Sequence, residues 1–266
     1  MKTTLLISTY NSPKYLKLCL RSILRQTVQP YEIVIADDGS TGETKNLIDT
    51  FRKSFKCTIK HVWQEDLGFR KSKIWNKALA HCAGEYIIQI DGDVIAERHF
   101  IEDHLHFAKP GYFYGGGRCL LTERVTKEVL DEEEIEISFF RKGLKHRFNV
   151  LRFRLLTPLF FFEKHSRGCN MAFWKKDVYA INGYDERMEG CGSEDTDFDE
   201  RLMRSGIKRR HIKLSAVVYH LFHGSKIPST INDSLIEENR KNKATWLPNG
   251  INQYLKQSSN DDKYFF

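Results

Sequence analysis

The chain of 266 residues predicts an α/β fold: a mixed, mainly parallel sheet flanked by helices, forming a single domain with a helical or loop insertion and a C-terminal extension. Two features carry that expectation. Apolar runs of strand length alternate with segments of helical period four times in about the first 90 residues, the pattern of βαβ units. Several of these runs then stop at polar or acidic residues, where an open sheet places its ligand-binding loops beyond the carboxyl ends of its strands.

Taken in order, residues 4–9 form the first apolar run. Ser12 and Pro13 supply an N-cap and a proline at the first helical position, and Leu16, Leu20, Ile23 and Leu24 carry the helical spacing to about Gln26. Residues 32–36 (EIVIA) read as a buried strand ended by Asp37-Asp38-Gly39-Ser40, followed by a helix containing Leu47, Ile48 and Phe51. A strand over 58–63, a helix over 71–82 and a strand over 85–90 complete this half, and the crossovers are expected to be right-handed. After Pro110 the regularity fails. Residues 112–118, with three consecutive glycines, predict a strand and a loop that lets backbone approach closely. Order returns at 168–173. A helix over 193–204 has acids in its first turn, arginines in its last and Gly206 beyond it, matching the helix dipole. Residues 212–219 read as a late strand ending at His220, and the tail after Lys256 as polar and frayed.

With 41% hydrophobic residues the chain can bury a sizeable core, and no stretch approaches the roughly 18–20 apolar residues of a membrane span. The N-terminal apolar run is too short for a secretory signal, so a cytoplasmic location is expected. Six scattered cysteines without a CxxC pair predict free, mostly buried thiols and argue against zinc. The net charge of +7 is uneven. Between residues 139 and 167 eight Lys/Arg stand against the single acid Glu163, just after the acidic cluster of Asp131, Glu132, Glu133, Glu134 and Glu136. Such blocks read as a solvated segment. The interleaved aromatics also allow a lid, or contact with an anionic membrane surface.

Asp91-Gly92-Asp93 directly follows the apolar run 86–90. Two hard oxygen donors one residue apart at a strand end suit a divalent cation gripping a diphosphate, although Asp-Gly is also ordinary turn chemistry. Asp37 and Asp38, beside the loop Ser8-Thr9-Tyr10-Asn11, offer carboxylate hydrogen bonds and aromatic stacking to a base or ribose. Gly190 and Gly192 lead into the acid-loaded helix start at Glu194 and Asp195, where a carboxylate can act as a general base toward a sugar hydroxyl. His220 and His223 follow an apolar run, and neutral imidazole is a good metal donor.

The set STYN at 8–11, DDGS at 37–40, DGD at 91–93 and GCGSED at 190–195 resembles the inverting glycosyltransferase family 2 with its GT-A, Rossmann-like fold. The stretch 183–202 resembles more narrowly the C-terminal region of β-1,4-galactosyltransferase and chondroitin-polymerase-type enzymes. The resemblance implies a GT-A domain over 1–225, with a nucleotide-binding half (1–110), an acceptor and catalytic half (111–225) that carries the insertion at about 123–165, and a partly flexible extension over 226–266. It further implies that Tyr10, with Thr9 and Asn11 beside it, packs near the nucleotide base, that Asp38 (with Asp37) bonds uracil, and that Asp91, with Gly92, faces the ribose or sugar. Asp93 and His220 would hold Mn2+ or Mg2+, with His223 on the diphosphate. Asp195 would be the catalytic base and Glu194 a binder of donor or acceptor hydroxyls. Arg70, Lys73 and Asn76 would lie near donor phosphate or sugar. Cys191 stands where relatives often carry tryptophan, which leaves acceptor stacking by this loop in question. The implied reaction is transfer of a hexose (galactose or N-acetylgalactosamine, with glucose next) from a UDP-sugar to a saccharide or lipid-linked saccharide, as in bacterial surface polysaccharide or lipopolysaccharide assembly at the inner face of the cytoplasmic membrane. A nucleotidyltransferase would favour a glycine-rich, basic first loop, which this chain lacks. A nucleic-acid or polyanion module would use 139–167, but the excess charge is local and no nucleic-acid motif is present, so no nucleic-acid partner is expected.

Overall fold

The computed structural model describes residues 1–162, 166–224 and 229–255. Glu163 and Lys164 of the basic-aromatic segment and the tail after Lys256 lie outside the described residues. The nucleotide-binding half runs β1 (Thr3–Thr9), α1 (Pro13–Leu24), β2 (Glu32–Asp37), α2 (Gly42–Arg52), β3 (Thr58–Trp63), α3 (Lys71–Ala80) and β4 (Tyr86–Asp91). Then follow β5 (Val94–Ala96), α4 (Phe100–Phe107), β6 (Tyr112–Gly115), β7 (Arg118–Leu121), α5 (Glu123–Asp131) and the two-residue β8 (Leu144–Lys145). Two short 3-10 turns lead to β9 (Asn170–Trp174), α6 (Lys175–Ala180), α7 (Glu194–Arg204), β10 (Lys208–His211), β11 (Val218–His220), α8 (Thr230–Lys241) and α9 (Asn252–Leu255).

Seven strands form the main sheet in the order β10-β6-β9-β4-β1-β2-β3. All neighbours are parallel except β9, which runs antiparallel to both β4 and β6. Leu5 and Ile7 point to one face with Leu16, Leu20 and Ile23 of α1, while Leu6 points to the other with Ile74, Trp75 and Phe198. Period-two alternation therefore buries both faces of β1, and helices cover each. The mixed, mainly parallel sheet expected from the sequence is the one observed.

A second sheet, ordered β5-β11-β7-β8, stands beside the first. The chain passes from one to the other at Asp91-Gly92-Asp93, because β4 ends at Asp91 and β5 begins at Val94. β11 pairs antiparallel with β5, setting His220 against Val94, and the Leu221 N–H donates to the Asp93 carbonyl at 3.0 Å. That pairing brings the late histidines to the first half's aspartates.

The strand expected over 212–219 is corrected. Residues 208–211 join the edge of the main sheet and 218–220 join the second sheet, so the intervening chain must change direction. Leu214 and Ala216 take left-handed backbone angles, φ 64° and 50°, and the Ala216 N–H donates to buried Asp103. The charge blocks are not simply solvated. Glu133 binds Lys17 and Arg21 of α1, Glu136 binds Arg25, and Arg152 binds Asp103 through two hydrogen bonds. The apolar side chains of this segment divide: Leu144 and Val150 are buried, with Phe139 and Phe161 packed on the core, whereas Phe140 is 82% exposed and Leu155 91%. Residues 229–255 are held by Asn239 on Asp185 and Asp197, and by Asn182 on Leu247 and Asn252. Among the described residues no helix is long and apolar enough to cross a membrane.

Candidate active site

The carboxyl ends of β1, β2 and β4 open into a cavity of about 540 Å³, within the usual range for small-molecule sites. Thr9, Tyr10, Asp38, Asp91, Gly92, Asp93, Glu194 and His223 all line it.

The two aspartates of the DGD turn differ in chemistry. Asp91 Oδ1 accepts from Ser8 Oγ and from Lys71 Nζ, each at 2.8 Å. Burial works against its charge, but Lys71 and Ser8 outweigh it and hold the carboxyl below the ordinary range. Asp93 Oδ1 is buried with no hydrogen-bond partner among the described residues. Burial pushes its carboxyl up, opposed by His220. His220 Nε2 lies 3.5 Å from Asp93 Oδ1, and His223 Nε2 lies 3.3 Å from Asp93 Oδ2. The Nδ1 of each ring is within 3.1 Å of a backbone carbonyl, Leu221 for His220 and Gly224 for His223. Protons placed on Nδ1 leave both Nε2 lone pairs facing the carboxylate. Three electron-pair donors turned on one point, with ligand atoms within 4.8 Å of one another, fit a divalent cation. The alternative set of Asp91, Cys169 and His220 fits less well. Asp91 is already neutralised by Lys71, and burial pushes the Cys169 thiol up to about 12.

Asp195 stands at the first turn of α7. Its Oδ2 accepts the Gly168 N–H at 2.7 Å, while its Oδ1 is buried without a hydrogen-bond partner among the described residues. A Cβ at residue 168 would collide with the Asp195 carboxylate, so glycine is what allows this contact. Burial, then the neighbouring Glu194 charge, push the carboxyl up to about 7, with Lys71 pulling the other way. The loop before it is pinned from several sides. Gly190 N–H donates to Phe69, Asn232 to the Gly192 carbonyl, and Ser193 Oγ to Asp233.

The structure does not bring every expected residue to the cavity: Asp195 and His220 are not among its lining residues, although His220 faces Asp93 and the Lys71 charge acts on Asp195. Asp37 is fully buried and turned away, with Oδ1 on the Ser40 N–H and Oδ2 on His61 Nε2, each at 2.8 Å. Asp38 alone of that pair faces the cavity, held by Gln64 and by the Arg70 N–H. Asn76 is fully buried and spends its amide on Tyr184 and Glu186. Neither Lys73 nor the Arg70 side chain lines the cavity; the Arg70 guanidinium donates to the Glu65 carbonyl. Asn11 is taken up by Ser40 and Thr41, whereas Thr9 keeps a buried, unpartnered Oγ1 and Tyr10 donates to Asp66. The residue missed from sequence is Lys71. α3 begins there and carries lysines but no acid in its first turn, against the helix dipole. That anomaly marks a cation held by carboxylates: Asp91, Asp195 and Glu194 overcome burial and raise the Lys71 amine.

Comparison with known proteins bears on the same residues. The family described as "Glycosyl transferase family 2" matches residues 4–169. The chain belongs to glycosyl transferase family 2. A second family, "N-terminal domain of galactosyltransferase", matches residues 160–224, which include Asp195 and both histidines. Among curated family 2 relatives, chondroitin synthase of Escherichia coli is 26% identical over 241 residues, covering 82% of this chain and 34% of the relative. Validoxylamine A glucosyltransferase of Streptomyces hygroscopicus subsp. limoneus is 25% identical over 224 residues, covering 77% and 48%. The chain thus spans a third to a half of the length of these relatives. Among solved structures, S. aureus TarS 1-349 in complex with UDP-GlcNAc superposes with a TM-score of 0.63 at 18% identity, covering 98% of this chain and 72% of that one. The mannosyltransferase PcManGT from Pyrobaculum calidifontis, in complex with GDP-Man and Mn2+, gives 0.57 at 18%, covering 99% and 65%. The family 2 chain therefore has the GT-A fold expected of it.

Proposed function

We propose that this chain transfers a hexose from a UDP-sugar to a saccharide hydroxyl, with inversion and with a divalent cation held by Asp93, His220 and His223. The observation that carries the reading is convergence: Lys71, Asp91, Asp93, Glu194 and His223 line one cavity, His220 faces the Asp93 carboxylate, and the charges of Lys71, Asp91 and Glu194 act on an Asp195 carboxyl held near neutrality. The relatives add support, since they include a glucosyltransferase and solved structures with UDP-GlcNAc and with Mn2+.

In this mechanism Asp38, Thr9 and Tyr10 bind the nucleoside end of the donor, and Asp91, fixed by Ser8 and Lys71, orients its ribose or sugar. Asp195 takes the proton of the acceptor hydroxyl as that oxygen attacks the anomeric carbon from the face opposite the leaving group. The bond from that carbon to the diphosphate oxygen breaks, and UDP leaves. When bound, the cation supplies Lewis-acid neutralisation of the diphosphate charge. A carboxyl poised near 7 is matched to base work at neutral pH. Glu194, which lines the cavity at the start of α7, receives sugar hydroxyls in this reading.

The acceptor is proposed to be saccharide-based and presented at a membrane. Phe140, Phe148, Leu155 and Leu159 are each more than two-thirds exposed, with Lys142 and Lys145 beside them, a composition suited to an anionic lipid surface. The test is nucleotide release from a panel of UDP- and GDP-sugars with Mn2+ or with chelator, with and without saccharide acceptors. Metal-dependent release of UDP that rises with acceptor is expected. Release indifferent to chelator would remove the cation from the reading, and no release from any donor would end it.

A further inference from the structure

Beside the donor cavity lies a second one of about 130 Å³ with the opposite charge. Gly115, Arg118, His146, Ser166, Arg167 and His211 form its wall, and among the described residues no carboxylate lines it. Three observations mark it as a built site. First, Arg118 is half-buried with no acid on it among the described residues; its one hydrogen bond there is to Cys169 Sγ, at 3.8 Å. Elsewhere the chain meets such guanidinium groups with acids, Arg152 on Asp103, Arg201 on Asp197 and Arg209 on Asp199. Second, Ser166 is only 4% exposed and its Oγ has no hydrogen-bond partner among the described residues, while its N–H is anchored on Asp199 at 2.7 Å. A buried hydroxyl without a partner is costly unless a ligand supplies one. Third, a Cβ at residue 115 would lie 3.0 Å from Ser166 Oγ and 3.3 Å from His211 Nδ1. The glycine at the end of β6 leaves open the space those two atoms border. His146, held at φ 60°, closes the rim in a backbone region that non-glycine residues rarely adopt.

The cavity is close to the chemistry. Cys169 lines it, and the Cys169 Sγ lies within 4.8 Å of ligand atoms of Asp91 and His220. The residue before it, Gly168, holds Asp195. Asp93 and His223, proposed above to hold the cation and with it the donor diphosphate, line the other cavity, and the two cavities share no lining residue, so an anion here is assigned to the other substrate.

We propose that this basic pocket binds an anionic group of the acceptor, a carboxylate or a phosphate ester, next to the hydroxyl that is glycosylated; the assignment of an acceptor rests on the transfer reading above. Arg118 and Arg167 supply charge-assisted hydrogen bonds, and Ser166 Oγ donates the third.

The test uses one saccharide in three versions that differ at a single position: carboxylate, phosphate monoester, and neutral hydroxymethyl. Binding to the full chain saturated with UDP and Mg2+ is measured by calorimetry, with inorganic phosphate as a competitor to separate a free ion from an acceptor-borne group. At least one charged version is expected to bind about ten-fold or more tighter than the neutral one, the effect of about one charge-assisted hydrogen bond. Arg118→Gln with Arg167→Gln should abolish that preference, as should Gly115→Ala, while UDP affinity, which reports on folding, stays within about threefold. Equal binding of the three versions, binding of none, displacement of no charged version by phosphate at any concentration, or a preference that survives the variants would overturn the proposal. UDP and Mn2+ binding and donor turnover on the unaltered chain are read separately, so failure of the transfer reading is visible on its own.

Discussion

Replacing Asp195 with asparagine should do two things at once, remove transfer and stabilise the protein, and the second depends on pH in a way that can be worked out. The folded chain keeps the Asp195 carboxyl protonated up to about pH 7, whereas an unfolded aspartate ionises near 3.9. The native state therefore binds more protons between those values, and stability falls as pH rises through that window. Below about 4 the full contribution is present; above about 7 all of it is lost. At about 1.4 kcal/mol per pH unit, the loss amounts to about 4 kcal/mol by pH 8, of which about 3 falls between pH 5 and pH 8. The substituted amide keeps an oxygen for the Gly168 N–H, which now donates to the Asp195 carboxylate at 2.7 Å, and it has no charge to desolvate. The stability advantage of Asp195→Asn should thus widen by about 3 kcal/mol from pH 5 to pH 8, in urea unfolding with chelator present, against a Tm scale of about 2–4 °C per kcal/mol for a chain of this size. Turnover should fall about 10²- to 10⁴-fold with UDP affinity unchanged. In the unaltered enzyme, log(kcat/KM) should rise with unit slope up to about pH 7. A stability gap that stays flat across pH would show that Asp195 is not held neutral. Undiminished turnover would show that it is not the base.

Three further outcomes follow from the same contacts. Lys71→Met should move the acid limb of the pH-rate profile to higher pH, because the amine that favours the Asp195 charge is gone; an unmoved limb would uncouple the two. Asp93→Ala and His220→Ala should each weaken Mn2+-dependent UDP binding by about 100-fold or more in calorimetry, while UDP binding in chelator stays equal across all three proteins. Asp197→Asn should cost about 3–5 kcal/mol in denaturant unfolding, since it strands the fully buried Arg201 that Asp197 now meets at 2.6 Å. UDP affinity per folded molecule should not change.

The first half of the fold was legible because its apolar runs are long and sharply ended, and the DGD turn because it sits at such an end. What was not legible required register. Asp37 and Asp38 are equivalent as text, but Asp37 still belongs to β2, where pairing with β3 sets it against Trp63 and puts His61 on the same face two residues away. Asp38, one residue on, turns the other way into the cavity. The family resemblance puts Asn76 near donor phosphate or sugar, yet the chain segment that claims its amide, Tyr184 to Glu186, is more than a hundred residues distant. Lys71 could have been found, since a lysine beginning a helix without an acid in that turn is a local inconsistency of the kind functional sites tolerate. The late strand was mistaken because the run 212–219 is apolar on both sides of a sheet change, and hydropathy alone does not reveal which sheet a residue joins.

The sheet change at Asp91-Gly92-Asp93 explains why two aspartates one residue apart do different work. Asp91 is the last residue of the main sheet, and it lies beside Ser8 of β1, opposite in register, and under the start of α3. Both of these neighbours donate to it, so its charge is settled before any ligand arrives. Asp93 has left that sheet and not yet entered the next. Its carbonyl is used by Leu221, while its carboxylate faces two imidazoles, whose Nε2 lone pairs turn toward it when the ring protons sit on Nδ1. In that tautomer a divalent cation, as proposed, would remove the repulsion among all three donors together. Exchanging the order of the pair's environments, by Lys71→Met with Ser8→Ala, should therefore free Asp91 to compete for the cation and lower the selectivity of the site for its proper position. The double variant should bind Mn2+ with altered stoichiometry or a shifted EPR spectrum relative to the unaltered chain. An unchanged spectrum would mean that Lys71 and Ser8 do not set the division of labour between the two aspartates.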